Sequence, residues 1–324
     1  MSTTDDSAGA ANAEEILADR RPAYLHFLLR DPFALVSALW LALMLFFALF
    51  GPLLFGDVAG AMNLGARNLP VGSLEEGLIS ILGHDPLGRP LLARIIVATQ
   101  TTLGIAAAAA ILALVLGTVI GLYAGYSGGR TGKVIMQLSD MVQSFPSLLL
   151  ALFILYMLEP RPLNIVIVLA IGQIPVYLRV ARAEALELRE RLFVDAARVL
   201  GASRRQILAR HIGPLVLPVV INIVTIDFAL IMLSESSLSF LGLGVQQLAI
   251  TWGVIVSQGR EYLQSAWWIA FFPGLMIMLT TLAINLLANW LRRVRDPKER
   301  WRFERHRKPR KEVEDTARDG EAQA

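Results

Sequence analysis

The chain has 324 residues, 55% of them hydrophobic and only 18% charged, with a formal net charge of +3. A mean hydropathy of +0.55 points to an integral membrane protein and away from a soluble domain. Cysteine is absent, which excludes disulfides, thiolate catalysis and cysteine metal sites. The pI near 9.4 comes from arginines gathered in a few segments, so nucleic-acid binding has no support; those clusters suit membrane lipid instead.

Residues 1–21 are polar, small and acidic, and 1–32 read as a cytoplasmic N-terminal tail without the basic-then-apolar start of a cleaved signal. Residues 33–55 form the first apolar run, matching the ~20 residues that cross a hydrocarbon core. Arg20, Arg21 and Arg30 precede it and place the N-terminus in the cytoplasm. Residues 56–97 follow as a periplasmic loop punctuated by Gly and Pro. His84 and Asp85 in this loop invite a metal reading, but two adjacent ligands without a third read as a solvated turn.

Residues 98–292 carry five further predicted spans. The first, 102–125, has an alanine run, Ala106 to Ala110, whose small side chains allow close helix contact. Gly132-Lys133 after it imitates a phosphate-binding loop, yet Ser127 stands where that pattern needs Gly, and Val134 where it needs Ser or Thr. The next span, 134–158, includes Asp140, read as an ordinary acid near a helix start, and Pro146. Residues 164–177 cross back with Gln173 and a kinking Pro175 inside them. That helix is expected to run on into water through Arg179, Arg182, Arg189 and Arg191, with Glu187–Arg191 and Arg191–Asp195 as pairs four residues apart.

Residues 193–214 read as helix, turn, helix. Asp195, Ala196 and Ala197 lie on a helix stopped by Gly201, which accepts a left-handed conformation without a Cβ penalty. Ser203 and Gln206 are spaced as a capping box that starts the next helix. Small residues at the corner would let backbone enter a groove on another protein, with Arg198, Arg204, Arg205 and Arg210 as a charged rim and Pro214 at the end.

The following span, 215–233, holds Asn222, Thr225 and Asp227, and Glu235 comes two turns after Asp227. Ionisable residues in a membrane face a bundle interior or a watery path, so Asp227, Glu235, Asn222 and Gln173 are candidate lining for a translocation path. The alternative for Asp227 is a buried interhelical hydrogen bond. Trp252, Trp267 and Trp268 in the outer loop read as interfacial anchors. The last span covers 268–291. Residues 293–324 form a charged tail whose basic start makes it cytoplasmic, so the crossings number about six.

Several ordered segments resemble the membrane subunits of ATP-binding-cassette (ABC) importers, in particular the C-type subunit of the dipeptide, oligopeptide and nickel systems. The family's E-A-A, three residues, G, nine residues, I-x-L-P signature is similar to Asp195-Ala196-Ala197, Gly201 and His211-Ile212-Gly213-Pro214; Asp195 keeps the carboxylate, while His211 and Gly213 depart. Gly83, Asp85, Leu87, Gly88 and Arg89 match its G-T-D-x-L-G-R-D segment, with His84 and Pro90 departing. SESSLSFLGLGV, containing Glu235, resembles E-A-S-L-S-F-L-G-L-G-V except at Ser236. Gln247-Leu248-Ala249 stands where the family has prolines. Pro273, Gly274, Asn285, Leu286, Leu287, Leu291, Arg292, Asp296 and Pro297 match its ending, while Ala288, Asn289 and Arg293 depart.

The resemblance implies an all-α, type I importer permease in a bacterial inner membrane, with residues 98–292 as its core. Its implied partners are a homologous B-type permease, two ABC ATPase subunits and an extracytoplasmic binding protein. It implies an ATPase-coupling loop at 193–214, a path for peptides, with nickel chelates or another small solute as alternative, and no cofactor, metal or catalytic residue in this chain. A secondary transporter would show intramembrane charge pairs and repeats, and Asp227 has no evident basic partner in the sequence. An intramembrane enzyme would need ligands or nucleophiles at depth, whereas His26, His84, His211 and His306 all fall outside the predicted spans.

Overall fold

A computed structural model describes residues 27–29, 31–74, 77–159, 161–245 and 249–295. The expectations for the two tails, for Arg20, Arg21, Arg30, Asp296 and Pro297, and for Gln247 and Leu248 lie outside the described residues.

Helix α1, Pro32–Gly60, begins where Asp31 caps it by accepting a hydrogen bond from the Ala34 amide at 3.2 Å, and Pro32 supplies a preset first turn. It runs beyond the expected 33–55, because Gly56 to Gly60 continue the helix before the chain extends at Ala61. Helix α2, Leu91–Ser127, begins directly after Pro90 and is 37 residues long. Its start lies earlier than the expected core boundary at 98.

The span expected over 134–158 is two helices, α3, Gly129–Gln143, and α4, Ser147–Met157, bent by 85°. Pro146 has no N–H for the helical ladder and disfavours helical backbone at Phe145, which is why the break falls there. Asp140 accordingly lies in the last turn of α3, not at a helix start, and its carboxylate accepts from Arg179 at 3.0 Å.

Helix α5, Pro162–Leu188, passes through Pro175 without interruption. A short helix α6, Leu192–Val199, precedes the long rod α7, Arg204–Phe240. Near its start, residues Ile207–Ile212 form a π turn in which the Gly213 amide bonds to the Leu208 carbonyl. Pro214 next to it cannot donate, so the regular ladder is lost at that level. Helices α8, Trp252–Gly259, and α9, Trp268–Arg295, complete the bundle. Five of these helices are long and apolar enough to cross a membrane, and six spans result if the bent α3–α4 pair counts as one.

The most extensive helix packing is between α2 and α5. A Cβ added at Gly117, Gly121 or Gly125 would stand 2.5 to 2.7 Å from the carbonyl oxygens of Ile174, Leu178 and Arg182 respectively. Spaced four apart, these glycines form a bare stripe along one face of α2, and α5 lies directly on it. Ala106, Ala109 and Ala110, from the predicted small-residue run, are buried in the same helix. One apolar core gathers around Leu91, Ile105, Trp252 and Trp268, and a second around Tyr177, Ala181, Val194, Ile207 and Ile212. At the far end of α1, Asp31 accepts from Arg293 of α9 at 3.3 Å, and further along Trp40 donates to Thr280 at 3.1 Å, so the two helices run antiparallel.

Candidate functional site

The 193–214 segment forms the corner that its residues prescribe. Gly201 adopts φ +83°, and its amide bonds to the Arg198 carbonyl at 3.0 Å while the Ala202 amide bonds to Ala197 at 3.0 Å. That pair of bonds closes α6 with a left-handed residue, and Ala197 and Ala202 supply the small apolar contact such an ending favours. The Ser203 side chain accepts from the Gln206 amide at 3.4 Å, and the Ser203 amide donates to Gln206 Oε1 at 2.8 Å, so both halves of the capping box are made.

The corner has two faces of opposite character. Val194 and Ala197 turn inward, into the core that contains Ile207, Ile212 and Ala181. Outward, Leu192, Val199 and Leu200 are 86 to 88% exposed, with Ala196, Gly201, Ser203, Arg204, Arg205 and Pro214 around them. Composition pointed to alanines and arginines; the three bare aliphatic side chains are the feature it missed, although alternating burial of Val194 and Ala197 along one helix turn leaves Val199 and Leu200 no inward direction.

The charged pairs differ in part from expectation. Arg191 reaches Glu187 at 2.6 Å as predicted. Asp195 pairs with Arg198 at 2.8 Å and not with Arg191, because Arg191 has extended backbone at the start of α6 and the four-residue helical spacing does not exist across it. The Arg198 guanidinium also lies over the Tyr126 ring, 5.5 Å from its centroid. A hydrogen bond to Tyr126, and more weakly the charge of Asp195, holds Arg198 above its ordinary pKa, so it stays cationic.

The four polar residues of the spans lie on α5 and α7. Asp227 is buried on α7 and faces the Tyr177 side chain of α5. Glu235 is fully buried; its carboxylate accepts from Ser239 at 2.7 Å and Ser236 at 3.4 Å. Gln173 borders a cavity of only about 30 Å³ beside Gly172, Ser147 and Ser234, and Asn222 is half-buried on α7.

At the opposite end of the bundle the structure overturns two expectations. His84 and Asp85 are not a solvated turn; both are fully buried. Asp85 accepts from the amides of Leu87 and Arg89, each at 2.9 Å, from Arg89 Nε at 2.6 Å and from Arg94 Nη1 at 2.7 Å, and Arg94 Nη2 donates to Gln258 of α8 at 2.8 Å. A buried carboxylate is tolerated here because its lone pairs are met by two amides and two guanidinium groups. Gly88, at φ +72°, lies so close to the Asn63 backbone that a Cβ would overlap it.

Trp252 and Trp268 are likewise core residues, not interfacial anchors. Trp252 donates from its indole to the Ile95 carbonyl and from its amide to Thr102, both at 3.0 Å, and Trp268 donates to the His84 carbonyl at 3.2 Å. Trp267 alone of the three is exposed, at 49%. Beside this cap lies a cleft of about 400 Å³ lined in part by Arg89, Gln258, Arg260, Glu261 and Tyr262. Among the described residues, no group of three His, Asp or Glu side chains is placed to hold a metal ion.

Residues 117–301 match the family described as the binding-protein-dependent transport system inner membrane component. The chain is 35% identical over 268 residues to a probable D,D-dipeptide transport system permease of Escherichia coli K12, covering 83% of this chain and 88% of that one. It is 37% identical over 266 residues to a di/tripeptide transport permease of Pseudomonas aeruginosa UCBPP-PA14, covering 82% and 88%. A nickel transport permease of E. coli K12 is 35% identical over 232 residues, covering 72% and 84%. Among solved structures, an inward-facing methionine ABC transporter superposes with a TM-score of 0.51 at 17% identity, covering 63% of this chain and 95% of its own; this likeness concerns the fold alone.

Proposed function

Because the chain belongs to the family of binding-protein-dependent inner membrane transport components, we propose that it is the C-type permease of an ATP-driven importer of di- or oligopeptides. Peptides are chosen from the similarity to dipeptide and di/tripeptide permeases; a nickel importer is the second reading, favoured by the nickel permease that is similar over a shorter stretch. The chain works with a homologous B-type permease, two ABC ATPases and an extracytoplasmic binding protein. Hydrolysis belongs to the ATPases, and this chain contributes no catalytic residue.

The observation that carries the proposal is the corner at Gly201, where an ordered helix end presents Leu192, Val199 and Leu200 bare. Such apolar side chains stay dry only under a partner. Asp195, Ala196, Ala197, Gly201, Ser203, Arg205 and Pro214 form the remainder of this coupling loop. We place it and both tails, 1–32 and 293–324, on the cytoplasmic side, with residues 56–97 outside and the five-span core at 98–292.

Motion at the ATPases would be transmitted through two arms. Helix α5 enters the corner and α7 leaves it, and the second apolar core clamps both to α6. The glycine stripe then joins α5 to α2 over about two turns, so a displacement of the corner moves α2, α5 and α7 together. Gln173 and Asn222, half-buried, are assigned to the path formed with the partner permease. The burial of Asp227 beside Tyr177 of α5 supports an interhelical packing role for that residue, and Glu235 is held by Ser236 and Ser239 of its own helix.

The test is uptake of a labelled dipeptide by the reconstituted complex. Uptake should require ATP and persist after ion gradients are collapsed. Uptake that survives ATP removal but follows an ion gradient would replace this reading with a self-contained transporter.

A further inference from the structure

A second feature of the bundle lies away from the coupling corner. Helices α1, α2, α7 and α9 enclose an apolar groove of about 720 Å³. On α9 it is lined by Ile284, Leu287, Ala288 and Leu291, one continuous helical face that ends directly before Arg292 and Arg293. On α1 the wall is the face containing Leu41, Leu45 and Leu49, of which the last two are 58% exposed. Gly104 and Ala107 of α2 form a low stretch of floor, and a Cβ added at Gly104 would meet nothing within 4 Å.

The antiparallel rungs Asp31–Arg293 and Trp40–Thr280 fix the groove's direction. From the level of Arg292 it extends on the order of 20 Å along the helices, more than half of a ~30 Å hydrocarbon core. Left empty, such a groove forfeits dispersion contacts, and water has almost nothing polar to bond there. The elongated apolar space suits the hydrocarbon of acyl chains. Arg293 already meets Asp31, whereas Arg292 is exposed and has no ion pair among the described residues.

We infer that this groove is a binding site for one anionic phospholipid, its acyl chains along Gly104, Ala107 and the α9 face and its phosphate at Arg292. The inference is independent of the transported substrate. The experiment is native mass spectrometry of the full chain, in complex with whatever subunits copurify, exchanged into mild detergent with added phosphatidylglycerol. The wild type retains one phosphatidylglycerol per chain. Gly104→Phe fills the groove and abolishes retention, Gly104→Ala leaves it open and keeps it, and Arg292→Gln weakens it about fivefold. Equal retention by the wild type and Gly104→Phe would overturn the inference, as would equal loss in both Gly104 variants. So would a photo-crosslinking side chain at Ala107 that captures another polypeptide in place of lipid.

Discussion

The two ends of this bundle solve the problem of polar groups beside a membrane in opposite ways. At the cap, Asp85, Arg94 and His84 are taken wholly out of water, and the cost is met inside the chain by Asp85's four donors and by Gln258. At the corner, Asp195 and Arg198 remain in water and pair only with near neighbours, while Leu192, Val199 and Leu200 are left uncovered. The cap meets its buried charges within the chain, leaving Arg94 Nε without a hydrogen-bond partner among the described residues. The corner is a finished backbone with an unfinished surface, which is what a docking element requires and a structural cap does not.

Breaking the cap should have the largest effect on stability. Asp85→Ala leaves Arg94 buried without its counter-charge, and removing one partner of a buried pair costs roughly 3–5 kcal/mol. Thermal unfolding of the purified protein in detergent should therefore fall steeply, with loss of protection around α8. A shift as small as that of an exposed charge would mean that the cap does not organise this end.

The corner's conformation should matter less to stability and more to coupling. Gly201→Val forces a side chain into left-handed backbone at roughly 1–2 kcal/mol, with no clash to add because the space around Gly201 is open. In the reconstituted complex, ATP hydrolysis should continue while uptake per ATP falls. Unchanged uptake would show that the left-handed turn is dispensable.

The two ends also differ in how much of them the sequence discloses. Corner chemistry is local: Ser203 and Gln206 are three residues apart, Gly201 stops the helix beside them, and each was legible without knowledge of the fold. The spans were legible for a similar reason, since length and hydropathy are properties of a segment. Cap chemistry is not local. Asp85 reads as a loop acid until Arg94 turns back to it and Gln258 arrives from a helix far along the chain. Trp252 likewise reads as an interfacial anchor until Ile95 and Thr102 accept its two donors. In the bent α3–α4 pair Pro146 marks the break, yet the 85° angle depends on packing, including the hold of Asp140 and Gln143 on Arg179. The glycine stripe on α2 went unread in the sequence, where only the alanine run 106–110 stood out, and its contact with α5 gives the spacing its purpose.

The central claim is that the bare aliphatic tip of the corner is made for the ATPases. Leu200→Glu tests it most directly, because Leu200 is 87% exposed and its replacement should change the stability of the chain by no more than about 0.5 kcal/mol. The measurement is copurification of ATPase subunits with the wild type and with this variant, at equal recovery of folded chain. The account predicts that the ATPases are lost, as expected when a partner must bury a charge where it had an apolar anchor. Full retention of both ATPases by Leu200→Glu would contradict it.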